Sequence, residues 1–335
     1  MRTTAFVLIS GLFGASFLPA ADPQLVNMVM PDAKIVAGIN VDSARNSLFG
    51  SFLLRQSSGN YAELQKFIQA TGFNPQTDLN EILLATTGTT ANPTGAAASA
   101  VGATISGPPP VHGLVLARGN FNIEKIMAVA KSDGNQRVQM YNGATLILDP
   151  KDMHASAMAF VDPHIAVLGD LTMVKQAIDR RSLPNSLDPQ LVNKVNALSS
   201  SEDAWAVSIA PVSQLSAGPT ADTTLQGALN GDLFKKITQS SGGIKFGSQI
   251  ELSTEMVATD EKNATALGDV VRFLVGMATM NAAPGKGAPS AVVALLQSLN
   301  IKTDGNIVNV TLSVPEDQVE SLINSMEPAK PAASI

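Results

Sequence analysis

The chain contains no cysteine and, among its 335 residues, only three histidines, two tyrosines and one tryptophan. The absence of cysteine excludes disulfide bonds, thiolate metal sites and cysteine nucleophiles. Charged residues are also scarce, at 15%, and 28 acidic residues outnumber 22 basic ones. Because no basic block is present to neutralise phosphates, we expect no nucleic-acid partner.

The apolar content is that of a globular protein. Apolar residues make up 45% of the chain, which is enough apolar surface to offset the entropy cost of ordering. The length allows one large domain or two smaller ones. The sequence therefore predicts a folded protein rather than a disordered one.

The first 21 residues, MRTTAFVLISGLFGASFLPAA, have the pattern of an export signal. Arg2 provides a basic start, Ala5–Leu18 is an apolar run without a charge, and small residues follow it. This order is the secretory pattern, and it predicts cleavage after Ala20 or Ala21. The alternative is an uncleaved anchor or a buried helix, but the run is shorter than the roughly 20 residues of a membrane span.

No segment after residue 21 is predicted to span a membrane. The most apolar one, Ala266–Ala282, contains Asp269 and Arg272. An exported chain without cysteine fits a bacterial envelope better than a eukaryotic secretory route. We therefore expect a periplasmic or extracellular bacterial protein with no transmembrane span after signal cleavage.

Two pairs of segments suggest an internal repeat. DAKIVAGINVDSARN (32–46) is similar to DAWAVSIAPVSQLSA (203–217), and VLGDLTMVKQAI (167–178) is similar to LSVPEDQVESLI (312–323). The two offsets, 171 and 145, differ by about the length of the uncharged, low-complexity segment 88–110. A duplication explains this agreement. The alternative is two unrelated halves that share a common order of elements.

The predicted fold class is α+β, with two related halves that each form an antiparallel sheet with helices on one face. The halves could pack face to face or join edge to edge. The predicted organisation is a signal peptide 1–21, a first half 22–181 with the insert 88–110, a connector 182–200, a second half 201–327 and a disordered tail 328–335.

Local signals place several elements. The spacing of apolar residues predicts a helix at 64–70 that ends at Gly72. The same spacing at Leu233–Ile237 predicts a second helix, ended by Gly242-Gly243, and the connector is predicted to hold a helix Pro189–Leu198 capped by Asp188. Turn signals predict three hairpins, at Asn142-Gly143, Asp162-Pro163 and Asp304-Gly305.

The histidines are the first candidates for chemistry. His154 and His164 each follow an aspartate two residues earlier, a spacing that could bind a metal through nitrogen and oxygen ligands. Both frames lie at predicted turns, where solvated polar residues need no ligand. His112 has no such neighbour. We therefore predict no metal site.

Catalytic motifs are missing from the sequence. It contains neither the Gly-x-Ser-x-Gly signature of serine hydrolases nor the Gly-x-Gly-x-x-Gly loop of dinucleotide-binding proteins. Glu251 and Glu255 flank Ser253 at the even spacing that places all three on one face of a strand, and a solvated sheet face explains them. We assign no catalytic residue and no cofactor.

One helix, near the end of the chain, is apolar nearly all round. Such a helix is usually core, but methionine-rich faces also serve adaptable binding. As a speculative apolar groove between the halves we select Val270, Phe273, Leu274, Met277 and Met280. By contrast, Trp205 lies on the same strand face as Val207 and is predicted to pack in the core.

Beyond these signals, the chain resembles uncharacterised exported α+β proteins of environmental bacteria. The resemblance rests on MPDAKIVAGINVDSARNSLFG (Met30–Gly50), GLVLARGNF (Gly113–Phe121) and GALNGDLFKKI (Gly227–Ile237). It implies export and fold, and it implies no activity.

Three functions remain open from the sequence. The first is non-enzymatic binding or scaffolding with an envelope protein as partner. The second is a carrier of an apolar ligand or lipid, and the third is a hydrolase whose residues come from distant segments.

Overall fold

The computed structural model describes residues 21–56, 61–88, 113–132, 136–148, 156–211, 233–281, 295 and 298–319. These residues form an antiparallel sheet with packed helices, so the chain has an α+β fold. The helices are α1 Pro23–Met28, α2 Val41–Arg45, α3 Leu48–Gln56, α4 Tyr61–Thr71, α5 Pro75–Asp78, α6 Ile123–Ser132, α7 Leu171–Arg180, α8 Pro189–Ser201 and α9 Glu261–Asn281. The strands are β1 Ile35–Asn40, β2 Leu79–Thr86, β3 Gly113–Gly119, β4 Arg137–Tyr141, β5 Ala144–Leu148, β6 Ser156–Asp162, β7 Ile165–Asp170, β8 Ala204–Ser208, β9 Ile237–Lys245, β10 Gln249–Ala258, β11 Asn300–Asp304 and β12 Ile307–Pro315.

The strands form one continuous sheet in the described part of the chain. Its order is β11-β12-β10-β9-β8-β1-β2-β3-β7-β6-β5-β4, and neighbouring strands pair antiparallel. Strands β1–β7 thus occupy one side of the sheet and β8–β12 the other. Outward from the centre, the first side runs β1-β2-β3-β7-β6-β5-β4 and the second runs β8-β9-β10-β12-β11, so the order of the first five strands is the same.

The two sides meet edge to edge where β1 pairs with β8. Ala37 lies opposite Ala206, and Gly38 lies opposite Trp205. A Cβ atom on Gly38 would stand 2.6 Å from the Trp205 ring, so the glycine makes room for the indole. Trp205 is 4% exposed and packs in the same cluster as Val207, which confirms its predicted place in the core.

Helices cover both faces of the first side of the sheet. On one face α1 and α7 pack through residues such as Leu25 and Val174, and α8, which lies mainly over β8 and β9 of the second side, reaches β1 on the same face. On the other face α2 and α6 pack through Ala44 and Ile126. The prediction of helices on one face only is therefore wrong: β2 and β3 are almost continuous apolar runs, and such strands need cover on both faces.

The second side of the sheet is less evenly covered. Helix α9 packs on β10, β11 and β12 through Ala264 and Leu267. The face beneath α9 is the same face of the sheet as the one that carries α2 and α6. Ala204, which packs against the α2 and α6 cluster, lies opposite Ile244, and Ile244 lies opposite Leu252, so the three side chains share one face. The opposite face of β10 presents Glu251, which is exposed.

Most local predictions agree with the structure. The helix that ends at Gly72 is α4, and this glycine has a φ of +70°. Asp188 caps α8 by accepting a hydrogen bond from the backbone N–H of Gln190, at 2.9 Å. All three predicted turns join paired strands, namely β4–β5, β6–β7 and β11–β12.

The helix predicted at Leu233–Ile237 is wrong. A short 3₁₀ turn, Phe234–Lys236, leads directly into strand β9, and Gly242-Gly243 lies inside that strand. A Cβ atom on Gly242 would stand 2.3 Å from the carbonyl oxygen of Ser253, and one on Gly243 would stand 2.5 Å from the Glu202 side chain. These glycines permit close packing and do not end a helix.

A carboxylate links the two sides of the sheet away from the β1–β8 pair. Glu316 Oε1 accepts hydrogen bonds from the Ser47 hydroxyl at 2.7 Å and from the backbone N–H groups of Leu48 and Phe49, at 2.7 and 3.3 Å. These groups lie at the start of α3, where backbone N–H groups lack helical partners. The carboxylate therefore caps α3 from the far end of the chain.

Several predictions lie wholly or mostly outside the described residues: positions 1–20 of the signal peptide 1–21, most of the insert 88–110 and the tail 328–335. Among the helices that the structure describes, none is long and apolar enough to cross a membrane.

Candidate functional site

Helix α9 changes character along its length. In its first half the outward positions are exposed and mostly polar, among them Lys262, Thr265 and Asp269. In its second half, Arg272 and Gly276 are exposed together with three large apolar side chains, Phe273, Met277 and Met280, which are 64%, 40% and 67% exposed. We call these three residues the α9 apolar surface. Their spacing of four and three residues places them in one stripe on the helix.

The five residues predicted for a groove divide into two groups. Val270 packs against the cluster beneath α9, and Leu274 is half-buried. The other three form the α9 apolar surface. Helix α9 packs on β10–β12 rather than at the β1–β8 pair, so these residues do not lie where the two sides of the sheet join.

A charged pair separates the polar and apolar parts of α9. Arg272 Nη1 lies 2.8 Å from Asp269 Oδ1, and Arg272 Nη2 donates to the carbonyl oxygen of Ile301 at 3.3 Å. The second contact ties the helix to edge strand β11. The α9 apolar surface therefore begins directly after the last ion pair of the helix.

His164 belongs to a turn. It lies between β6 and β7, where its backbone N–H donates to Asp162 Oδ1 at 2.7 Å and its ring Nδ1 lies 3.1 Å from the carbonyl oxygen of Gly119. These contacts confirm the turn interpretation of Asp162-Pro163-His164. His112 and His154 lie outside the described residues. No group of three or more His, Cys, Asp or Glu side chains suited to a metal ion occurs within the described ranges.

On β10, Glu255 and Ser253 have structural partners, whereas Glu251 is exposed. Glu255 Oε1 lies 2.5 Å from Lys194 Nζ on α8, and the Ser253 hydroxyl donates to Glu202 Oε1 at 3.1 Å. Burial is the main cause that raises the pKa of Glu202. These contacts attach α8 to the sheet.

A second site, which the sequence analysis missed, surrounds Glu81 near the N-terminal end of the described chain. The backbone nitrogen of Asp22 lies 3.2 Å from Glu81 Oε1 and 3.1 Å from Oε2. Burial raises the pKa of the Glu81 carboxyl to about 7, and donation from the Asp22 N–H offsets only part of this effect. The carboxylate thus has weak compensation for its loss of water.

The charge of Arg118 lowers the pKa of Glu81, but the direct contacts of this guanidinium are with other groups. Arg118 lies opposite Glu81 in the β2–β3 register, yet its guanidinium forms an ion pair with the Asp22 side chain and donates to Gln24 Oε1 at 2.5 Å. Asp22 also caps α1 by accepting from the Gln24 N–H at 2.7 Å. One signal in the sequence marks the site: Glu81 is an acidic residue in the otherwise uncharged strand LNEILLAT.

Comparisons with known proteins show similarity in fold only. No protein-family model matches the chain, and no curated protein matches it. Crystal form III of TP0453 aligns with a TM-score of 0.50 at 9% identity, covering 90% of this chain and 98% of that chain. Crystal form I aligns with a TM-score of 0.49 at 11% identity, covering 91% and 98%. At this identity the likeness to form III supports a shared fold and carries no activity across.

Proposed function

We propose that this chain is an exported, non-enzymatic protein that works by binding another protein through the α9 apolar surface. The observation that carries the proposal is the outward exposure of Phe273, Met277 and Met280 in a single stripe. Large apolar side chains that stand together on a surface typically mark an interaction site.

The shape of this surface favours a protein partner over a carried ligand. A carried ligand is usually enclosed by a concave pocket that buries most of its surface. Phe273, Met277 and Met280 instead stand on the outside of a 21-residue helix. Apolar residues at positions i, i+4 and i+7 are the anchors by which a helix enters a groove on a partner. Methionine side chains also adapt readily to such a groove.

The charges on α9 also favour a protein over a membrane surface. Helices that lie on anionic membranes are rich in lysine and arginine on their polar face. On α9 the basic Lys262 and Arg272 are matched by the acidic Glu261 and Asp269, and the whole chain carries −6. The helix therefore lacks the electrostatic attraction that holds such helices on anionic lipid.

Export to a bacterial envelope is part of the proposal. The basic start, the apolar run and the small residues up to Ala21 support it, as does the resemblance to exported proteins of environmental bacteria. A binding protein of this compartment would meet its partner in the periplasm or outside the cell.

We also propose that the two sides of the sheet descend from one duplicated unit. The shared outward strand order supports this idea. So does the offset of 171 residues, which places Val36 on Val207, two residues that pack in the same cluster. The hairpin β4–β5 has no counterpart among the described strands of the second side.

The experiment is site-specific photo-crosslinking in cells that export the full chain. A photoreactive residue at position 280 is compared with one at position 265, which is an exposed polar position on the same helix. We expect an adduct with one defined protein at position 280, identified by mass spectrometry, and none above background at position 265.

A matched variant then tests whether the apolar stripe is responsible. Phe273→Ser with Met277→Ser should abolish the adduct at position 280, while Lys262→Ser should leave it unchanged. A phospholipid adduct at position 280 would support the carrier instead. Equal adduct yields at positions 280 and 265 would contradict binding through the α9 apolar surface.

A further inference from the structure

We propose that the peptide bond between Ala21 and Asp22 is hydrolysed during export and that the new α-ammonium group of Asp22 forms an ion pair with the Glu81 carboxylate. This inference goes beyond the proposed function, because it concerns processing and the anchoring of the mature N-terminus rather than the α9 apolar surface. It rests on the geometry around Glu81 and on the cleavage positions that the sequence offers.

The geometry places the Asp22 nitrogen between the two oxygens of Glu81. The distances are 3.2 and 3.1 Å, so a single amide proton serves two acceptors. An ammonium group has three protons and can donate separately to each oxygen, and a charge-assisted hydrogen bond is about twice as strong as a neutral one. The existing positions therefore suit an ammonium group without any movement of the backbone.

Arg118 compensates the charge of Glu81 only in part: it lowers the pKa of Glu81, but burial raises that pKa more strongly. Arg118, the cation that lies across the strand pair from Glu81, forms an ion pair with the Asp22 side chain. The Asp22 carboxylate itself adds negative charge beside Glu81 and raises its pKa. A positive charge on the Asp22 nitrogen would compensate the partly buried carboxylate directly.

Helix α1 is capped by the residue that the cut would expose. Asp22 caps α1, and Pro23 occupies the first helical position. A proline there needs no N–H partner. Asp22 directly follows one of the two cleavage positions predicted from the sequence. The cut would remove the buried Ala21, which packs in the same core cluster as Leu25.

The reaction is a simple hydrolysis by a signal-removing peptidase. Water adds across the Ala21–Asp22 amide, so the C–N bond breaks, Ala21 leaves with a carboxylate, and the Asp22 amine takes a proton. The mature chain loses Arg2 and no acidic residue, which changes its charge from −6 to −7 before the terminal groups are counted.

The first test is the mass of the exported product. The full chain is produced with its own leader in a bacterium, recovered after export, and examined by intact mass spectrometry and N-terminal sequencing. We expect a chain that begins at Asp22. A product that retains the leader, or one that begins at Ala21, would overturn the assignment of the terminus.

The second test measures the ion pair itself by a double-mutant cycle. Two chains are released from a cleavable tag, one beginning at Asp22 and one with a single glycine before it. Each is made with Glu81 and with Glu81→Gln, and Glu124→Gln serves as an exposed control. Thermal unfolding midpoints at pH 7 are compared, since glutamine keeps the shape and lets the fold persist.

We expect Glu81→Gln to shift the unfolding midpoint differently in the two chains. With Asp22 first, Glu81→Gln should lower the midpoint by about 2–4 °C. With a glycine before Asp22, the same substitution should leave the midpoint unchanged or raise it, because it removes a poorly compensated carboxylate. Equal effects of Glu81→Gln in the two chains would overturn the ion pair, whatever the mass measurement gives.

Discussion

The two sides of the sheet bury their strands differently. In the first side β2 and β3 are buried along almost their full length, and helices pack on both of their faces. In the second side β10 and β12 are mostly half-buried, with exposed positions at Glu251 and Thr311. Exposed large apolar side chains occur singly in the first side, at residues such as Leu48 and Met140, and as a stripe of three in the second side, at Phe273, Met277 and Met280 on α9.

This difference separates a stabilising region from a region that is available for binding. A strand covered on both faces contributes most to the core, because its side chains leave water on either side. The second side buries less of its strand surface and presents apolar side chains to solvent instead. Substitutions should therefore affect folding in the first side and binding in the second.

The largest effect is expected from core leucines. Leu83 on β2 is fully buried, so Leu83→Ala should lower the free energy of unfolding by about 2–5 kcal/mol. Leu252 on β10 is half-buried, so Leu252→Ala should lower the free energy of unfolding by clearly less than Leu83→Ala does. Urea denaturation of both variants checks the comparison, and equal losses would remove the proposed contrast between the sides.

The pH dependence of Glu81 comes next. In a chain with a residue before Asp22, the pKa of Glu81 in the folded protein is about 7, above the ordinary glutamate value of 4.5. The folded protein then binds more protons at Glu81 than the unfolded protein does. The stability that comes from protonated Glu81 is therefore fully present below pH 4.5 and is lost as the pH rises through 7.

Unfolding by urea at pH 5 and pH 8 measures this contribution. We expect a loss of at most about 3 kcal/mol on going to pH 8, and Glu81→Gln should remove that loss. A wild-type curve parallel to that of Glu81→Gln would show that the carboxyl is not perturbed in the fold.

Two glycines give the third comparison. Gly38 packs against Trp205 where the sides join, so Gly38→Ala should cost roughly 1–3 kcal/mol through overpacking. A Cβ atom on Gly276 in α9 would meet nothing within 4 Å, and Gly276→Ala should stabilise the helix by about 0.5–1 kcal/mol. Thermal unfolding of the two variants should move in opposite directions. A shift in the same direction would argue against the close packing at Trp205.

The smallest effect on stability is expected at the α9 apolar surface. Phe273, Met277 and Met280 are exposed, although each is partly covered. Replacing all three with serine should therefore change the free energy of unfolding by no more than about 1 kcal/mol. A loss as large as that of Leu83→Ala would show that these side chains belong to the core and not to a binding surface.

The sequence predicted elements whose signals are local. The turn at Asn142-Gly143, the cap at Asp188 and the strand face of Trp205 each depend on neighbours within a few residues. The helix predicted at Leu233–Ile237 failed because the role of Gly242-Gly243 is set by Ser253 and Glu202 on other elements. Local propensity could not reveal those contacts.

The two sites likewise combine features that are visible in the local sequence with features that depend on distant contacts. The apolar character of α9 was visible in the sequence, but its exposure depends on which strands lie beneath the helix. The Glu81 site joins residues 59 positions apart, and the Glu316 cap joins residues about 268 positions apart. Contacts at such separations follow from the sheet order, which no local pattern encodes.

The most direct test of binding through α9 is the adduct yield of a photoreactive residue at position 277 compared with that at position 265, measured in exporting cells. The account predicts an adduct with one defined protein at position 277, lost on Phe273→Ser, and only background at position 265. The same yield at both positions would contradict the claim that the α9 apolar surface is where this protein binds its partner.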